Sequence, residues 1–344
     1  MTSQTQGQVE YVDPTIGGVG FLLEPTRPAV YLPNSMVRMY PVRADQLDDQ
    51  IKSFPLTIIS HRLGELFWIK PIDAAASSDS WSAPSAYDQE QTTPYYYSTR
   101  FDDSLIQTEF TPTERCGYFR FSFPSGKGGV LLANRNDGDL TPQGDKIFTG
   151  VERFQDMAAY VYGEFSAPVT FQPQTVGKQK GVAAIPTQPN QKTLEFRYAI
   201  SFISIDQAKK NLEHEIPGWG FDKVKVQAKA RWNETLGQIK VEGGTEAQKR
   251  VFYTALYRCS ERMINITEDG HYYSAWDHTV HEDKRPFYVD NWIWDTFRAL
   301  EPLQTLLNPD VEADKIESYV RMYQQSGSIP NFAVLSGTHP RLNG

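Results

Sequence analysis

The sequence predicts an antiparallel β-sandwich followed by a helical region. Two observations carry that reading. From Tyr11 to about Ile205, apolar side chains recur at every second position between turns rich in Pro, Gly or Asp. After Ile205 the apolar period lengthens to that of a helix, and helix capping signals appear.

The strand signals are most regular at two places. Over 118–123, Phe119, Phe121 and Phe123 share one face while Arg120 and Ser122 take the other. Over 193–203, Leu194, Phe196, Tyr198, Ile200 and Phe202 point inward, and Glu195, Arg197 and Ser201 point outward. Shorter runs over 66–69, 96–101, 105–110, 130–133, 146–154 and 158–165 complete a series of short strands, the pattern of a sandwich.

Beyond the strands, Val224, Ala228, Trp232 and Leu236 recur at helical spacing over 222–236. Thr245-Glu-Ala-Gln248 is a capping box. The stripe expected behind it is Phe252, Ala255, Leu256, Cys259 and Met263, with the two sulfur residues in the core rather than acting as ligands. Asn308-Pro309 opens another helix, striped by Ile316, Tyr319, Val320 and Tyr323 and ended by Gly327. The domain reading is a sandwich over 1–205, a helical linker over 206–245 and the start of an all-helical domain over 246–344. That last layer has about four helices and ends in a loop, so an incomplete domain with uncovered apolar faces is expected.

Composition narrows the function. Formal net charge is −8, and no basic block or Arg/Lys-rich helix offers a surface to nucleic acid. No apolar run approaches the ~18 residues of a membrane span. The 18 tyrosines, 19 phenylalanines and 7 tryptophans suit carbohydrate binding as well as aromatic sandwich cores. Cys116 and Cys259 fall in different elements and define no disulfide framework. The N-terminus lacks the order of a signal peptide, leaving a cytoplasmic protein or a mature exported one; export, periplasmic or secreted, is the expectation.

One stretch concentrates functional chemistry: Tyr288-Val-Asp-Asn-Trp-Ile-Trp-Asp-Thr-Phe-Arg-Ala-Leu-Glu-Pro-Leu303. Trp292, Trp294, Asp295 and Arg298 crowd one expected helix start. Flat rings stack on apolar sugar faces, and a carboxylate with a guanidinium orients hydroxyls. Asp290 is open to two readings, helix N-cap or site residue. Asp295 lies past the cap position and reads as a site residue. Placed five apart on one helix, Asp290 and Asp295 would point to different sides, a poor pair for acid/base hydrolysis. His271, His278 and His281 flank Trp276 and Asp277 without the helical His pair and Glu that a zinc motif requires. No Gly-x-Ser-x-Gly elbow and no phosphate-cradling glycine loop is present.

The Trp294-Asp-Thr-Phe-Arg298 stretch closely resembles the signature of the glycoside hydrolase family 92 α-mannosidases. Val12-Asp-Pro-Thr-Ile-Gly-Gly18, Pro28-Ala-Val-Tyr-Leu-Pro-Asn-Ser-Met36, Ser60-His61, Phe252-Tyr-x-x-Leu-Tyr257 and Ser336-Gly-Thr-His-Pro-Arg-Leu-Asn-Gly344 resemble further family segments, in family order. The resemblance implies a β-sandwich joined to an incomplete (α/α)6 barrel, with the active site between them. It implies exo-acting, inverting hydrolysis of α-mannosides in mannose-rich glycans, with calcium as cofactor. The general acid, the base and most calcium ligands are then expected beyond Gly344, leaving this chain inactive alone. Substrate contacts are expected from Trp294, Asp295, Arg298 and Asp290, faced by Glu24, Arg27 and His61, with His339 beside the cleft. Where many family members carry a Gly-His-rich loop, this chain reads Gly20-Phe-Leu-Leu-Glu-Pro-Thr-Arg27. Glu24 and Arg27 there either contact a sugar or pair with each other, and the departure bears on linkage specificity. The alternative is a non-catalytic carbohydrate-binding or assembly module.

Overall fold

The computed structural model describes residues 7–17, 27–45, 47–60, 64–73, 83–176 and 179–338. A single helical turn, Gln8–Tyr11, precedes short strands β1 (Val30–Tyr31), β2 (Arg38–Met39) and β3 (Gln50–Ile51). The long strands are β4 (Phe54–Ser60), β5 (Gly64–Ile72), β6 (Ser85–Thr93), β7 (Tyr96–Phe101), β8 (Gln107–Pro112), β9 (Cys116–Ser122) and β10 (Gly129–Ala133). They continue with β11 (Asp137–Gln143), β12 (Ile147–Phe154), β13 (Met157–Phe165), β14 (Val169–Val176), β15 (Gln179–Pro186) and β16 (Thr193–Ser201). Helices α1 (Ile205–Glu215), α2 (Phe221–Leu236) and α3 (Glu246–Arg258) follow. Strands β17 (Ile264–Asn265), β18 (His271–Ser274), β19 (Thr279–Glu282), β20 (Tyr288–Val289) and β21 (Asn291–Trp292) lead to α4 (Ile293–Thr296), α5 (Leu300–Leu307) and α6 (Pro309–Ser326). A hairpin of β22 (Phe332–Val334) and β23 (Gly337–Thr338) comes last among the described residues.

Two antiparallel sheets make the sandwich, nine-stranded in the order β11-β12-β13-β16-β9-β8-β7-β6-β3 and five-stranded in the order β14-β15-β10-β5-β4. The inner face of the larger sheet presents Phe110, Phe119, Phe121, Phe196 and Ile200 to Phe54, Leu66, Val130 and Leu132 of the smaller one. The Tyr198 hydroxyl crosses that layer to donate to Leu56 O at 2.7 Å, so a buried phenol keeps its hydrogen bond. Gly117 makes this possible, because a Cβ there would meet the Tyr198 hydroxyl at 2.3 Å. The outer face is also covered. Tyr96, Tyr118, Tyr162 and Ala199 pack under Leu212, Phe221, Val224 and Ala228 of α1 and α2. Ser201, expected to face solvent, is buried under α1 and accepts from Ile203 N and Ser204 N at 2.9 and 3.2 Å.

The eight predicted strand runs all overlap observed strands. The strands without such a signal include β6 and β11, whose sequences SAYDQEQTT and DGDLTPQ are partly or largely exposed near sheet edges. The expected helix features are present: Val224, Ala228, Trp232 and Leu236 are buried on α2, and the Thr245–Gln248 capping box is formed. The first described segment is pinned to these helices by Val9 N donating to Asn233 Oδ1 and by Tyr11 stacking on Tyr253.

Three expectations are corrected. The region after α3 is not all-helical: β17 to β23 interrupt it. On α3 the buried face is Tyr253, Thr254, Leu256 and Tyr257, while Phe252 and Ala255 are exposed. The large aromatics win that face because Tyr257 joins a cluster with Tyr31 and Trp232 at ring separations of 4.8 and 5.1 Å. On α6 only Tyr319 of the expected core stripe packs against the core; the others point outward, with Ile316 60%, Val320 41% and Tyr323 52% exposed. Its buried face is Glu312, Lys315, Ser318, Arg321 and Met322. The inward side chains serve the open backbone of the 283–289 segment: Ser318 Oγ accepts from Tyr288 N at 2.9 Å, and Arg321 donates to Pro286 O and pairs with Asp283 at 3.0 Å. Gly327, at φ 78°, ends the helix in the left-handed cap that the sequence predicts.

A buried polar junction joins sandwich, α1 and the β18–β19 hairpin. Glu268, fully buried, accepts from Phe202 N at 2.9 Å and from Asn211 Nδ2 at 2.7 Å. Arg115 donates to Thr267 O and to Glu215 on α1. Burial raises the Glu268 carboxyl from 4.5 to about 7, against the opposing pull of its hydrogen bonds and Arg115. Among the described residues no helix is long and apolar enough to cross a membrane.

Two outcomes follow from these packing facts. The chain by itself should associate in a concentration-dependent way through the α6 face, and Ile316→Lys with Val320→Lys should reduce this in sedimentation velocity. A wild-type chain that stays monomeric throughout would refute it. For Glu268 the folded pKa lies above the unfolded one, so the folded state holds the proton more tightly. Stability should therefore fall as pH rises from about 4.5 through about 7. Glu268→Gln should flatten that part of the urea-midpoint profile, and an unchanged slope would assign the pH dependence elsewhere.

Candidate active site

The site segment begins where β20 hands over to β21. Asp290 sits between them at φ 68°, a left-handed conformation that short polar residues tolerate. Immediately after it, Asn291 and Trp292 pair with Ala333 and Phe332 of β22. Helix α4 starts immediately after, with Trp292 at its N-cap position and no side-chain cap bond.

Asp290 is therefore not the N-cap, and it does not share a helix with Asp295. Its carboxylate and the Arg38 guanidinium are both 0% exposed and pair at 3.0 Å through Nη1 and Oδ2. Arg38 Nη2 also donates to Ile58 O and Ile59 O of β4 at 3.2 and 3.3 Å. One guanidinium thus ties a sandwich strand to the site segment. Glu261, 8% exposed, lies nearby, and burial raises its carboxyl pKa; Arg262 and Arg38 oppose that rise, and Asp290 reinforces it. The Leu32–Met36 loop closes on the same region, as Asn34 Nδ2 donates to Met263 O at 2.6 Å and Asn265 N to Asn34 O at 2.9 Å.

Trp292 is the buried ring of a three-layer stack. Phe332 lies on one contact at 4.3 Å and Trp294 on another at 6.3 Å, with interplanar angles of 23° and 15°. The Arg262 guanidinium sits 5.0 Å from the Trp292 ring centre. Trp294 itself is 52% exposed, and Asp295 and Arg298 are exposed beside it on and just after α4. Asp295 makes no ion pair or hydrogen bond among the described residues. Underneath, Glu301 Oε1 accepts from Asn291 Nδ2 at 3.0 Å and from Thr296 Oγ1 at 2.5 Å, fixing α4 to α5.

Of the remaining predicted contacts, Glu24, His61 and His339 lie outside the described residues. Arg27 is half-buried, donates to the Tyr40 hydroxyl and lies over that ring at 4.4 Å. Tyr40 in turn donates to Glu65 Oε1 at 2.8 Å, and Arg135 donates to Glu65 Oε2 at 3.2 Å. Arg38, Glu261, Arg262 and Phe332 went unnoticed in the sequence. Arg38 had one available signal, a lone charge inside the apolar run Met36-Val-Arg-Met39.

An exposed ring flanked by an open carboxylate and a guanidinium can bind and orient a polyol. A calcium ion needs six to eight oxygen ligands. Among the described residues no three Asp, Glu, His or Cys side chains converge. His281 instead pairs with Asp277 at 2.9 Å and stacks on Tyr272.

Residues 11–216 match the glycosyl hydrolase family 92 N-terminal domain, and residues 207–343 match the glycosyl hydrolase family 92 catalytic domain. The chain belongs to glycosyl hydrolase family 92. It superposes on the family GH92 inverting mannosidase of Bacteroides thetaiotaomicron VPI-5482 with a TM-score of 0.91 at 28% identity, covering 100% of this chain and 52% of that one. An α-mannosidase of family GH92 from Bacteroides thetaiotaomicron shares the fold at a TM-score of 0.85 and 20% identity, over 98% of this chain and 53% of that one. An uncharacterized secreted glycosidase of Arthroderma benhamiae is 46% identical over 66 residues, 18% of this chain and 9% of that protein. The chain thus spans about half the length of the solved family 92 mannosidases.

The buried pair makes a stability prediction. Arg38→Ala should cost about 3–5 kcal/mol by leaving the Asp290 carboxylate buried and uncompensated. Adding Asp290→Ala should recover part of that loss in urea unfolding. Additive losses would mean that the two side chains act independently.

Proposed function

We propose that this chain forms the sandwich and the first helices of an inverting, exo-acting α-mannosidase that trims mannose-rich glycans outside the cytoplasm. The observation that carries the reading is the exposed Trp294–Asp295–Arg298 face, mounted on the buried Trp292–Phe332 stack. The Trp294 ring offers a flat apolar surface to the CH face of a hexose. Asp295 is free to accept from two neighbouring hydroxyls, and Arg298 can donate to a third. Support for a mannoside comes from family membership and from the 28% identical neighbour described as an inverting mannosidase. Support for export is the secreted relative, which covers a small part of the chain.

Within this reading, the described carboxylates bind and position rather than transfer protons. Inverting hydrolysis requires an acid and a water-activating base about 6.5–9.5 Å apart. Asp290 is fully buried with its Oδ2 on Arg38, and Glu268 is enclosed in the sandwich junction. The acid, the base and the calcium site are assigned to the part of the catalytic unit outside these 344 residues.

The test compares this chain with a protein that joins it to a complete family 92 catalytic domain, each assayed on an aryl α-mannoside with calcium and with chelator. The chain alone should show no turnover, because losing both proton transfers removes about 10²–10⁴-fold each. In the complete protein, Asp295→Ala should lower kcat/KM by about ten- to a hundredfold with the fold intact. Chelator-sensitive turnover by the chain alone would place the catalytic residues within it. Unchanged kinetics for Asp295→Ala would remove that residue from the site, and glycan binding without turnover in either protein would favour a binding module.

A further inference from the structure

A second cavity, of about 380 Å³, opens between the β12–β13 turn and the β18–β19 hairpin. Its size is within the range of small-molecule sites. Met157 and Phe202, 5% and 3% exposed, form an apolar floor. Tyr160 and Tyr273 are half-buried lining rings, and Arg153 and Asp156 add charges of opposite sign.

We propose that this cavity is a second carbohydrate site, holding one neutral hexose unit of a glycan whose terminal unit lies at Trp294. The identification of the glycan rests on the mannosidase reading above; the cavity's chemistry does not. Phenol rings and an apolar floor suit the CH face of a sugar, while the rim suits its hydroxyls. Neither an anion nor a cation is favoured. Arg153 already lies 3.6 and 3.8 Å from Asp137 and Asp139, and Asp156 balances it across the rim. The Tyr160 hydroxyl makes no hydrogen bond among the described residues, and that of Tyr273 has only a 3.4 Å contact to His278 Nδ1. Both phenols therefore retain hydrogen-bonding capacity for a ligand.

The β22–β23 hairpin couples this cavity to the candidate active site. Phe332 stacks on Trp292, and Ser336 donates to Gln155 at the cavity rim. Three residues separate Phe332 from Ser336, so the Cα atoms of these two lie at most about 14 Å apart.

The experiment is a ligand titration of the 344-residue chain with an α-linked mannotriose, read by saturation-transfer NMR and calorimetry, with melting curves to confirm each variant folds. Tyr273→Ala and Tyr160→Ala should each raise the apparent Kd by about tenfold, and Tyr160→Phe, which keeps the ring, by less. Trp294→Ala should leave a binding component that Tyr273→Ala removes. Wild-type affinity in both tyrosine-to-alanine variants, or no binding by the wild-type chain, overturns the proposal. An aryl α-mannoside carries one sugar and reports on the Trp294 site alone. Its failure as a substrate of the complete protein, with cavity binding intact, would sink the mannosidase reading and leave the second site standing.

Discussion

The Arg38–Asp290 pair connects a sandwich strand to the segment that carries the candidate active site. Both side chains are withdrawn from water; Arg38 Nη2 also reaches two β4 carbonyls, while Arg38 Nε and Asp290 Oδ1 have no hydrogen-bond partner among the described residues. What the pair secures is position. Asp290 has a left-handed backbone conformation, and the next two residues, Asn291 and Trp292, pair with β22. Trp292 then lies against Phe332 and supports Trp294, while Asn291 reaches Glu301 and sets α4 on α5. The exposed sugar-binding chemistry thus stands on a buried electrostatic tie to a different layer of the protein.

The larger sheet explains why such a tie can be held rigidly. Its inner face is sealed by aromatic rings against the smaller sheet, and its outer face by α1 and α2. A sheet covered on both sides has little freedom to shift, because close-packed interiors accommodate displacement poorly. Polar groups at the seams reinforce the arrangement. Glu152 is fully buried and accepts backbone N–H bonds from Phe67, Arg135 and Asn136, joining the two sheets. Trp232 does the same for α2 by donating to Tyr31 O at 2.7 Å.

Legibility in the sequence followed how much of each element's environment its own residues could disclose. β9 and β16 were clear because their phenylalanines face one apolar layer, so period two survives. β6 and β11 were not, since exposed strands near a sheet edge keep polar side chains on both faces. The buried face of α2 was legible down to Trp232 for the reason that β9 was. On α3 the expected face differs from the buried one because Phe252 and Tyr253 are chemically similar; Tyr11 and the Ile239 carbonyl hold Tyr253, and the Tyr31–Trp232 cluster holds Tyr257 one turn on. At the site, the exposed Trp294, Asp295 and Arg298 could be picked out by composition. Neither reading of Asp290, cap or substrate contact, anticipates its buried pair with Arg38, because that partner is 252 residues away and no local pattern encodes such a pair.

α6 shows the same principle with the signs reversed. An apolar stripe at helical spacing normally marks the buried face, yet here the buried face carries Glu312, Lys315 and Arg321. The cause is the neighbour rather than the helix. The 283–289 segment presents backbone groups without a full set of strand partners, and such groups cost free energy when buried unpaired. Ser318 and Arg321 satisfy them, and Lys315 lies 3.4 Å from Glu312 so that neither charge is buried alone. Burial of a polar face is stable only when it meets an equally polar surface, and the strands that interrupt the helical region supply that surface. The short strands β20 and β21 therefore have two effects. They orient the aromatic stack of the site, and they determine which side of α6 turns inward, leaving Ile316, Val320 and Tyr323 on the outer side.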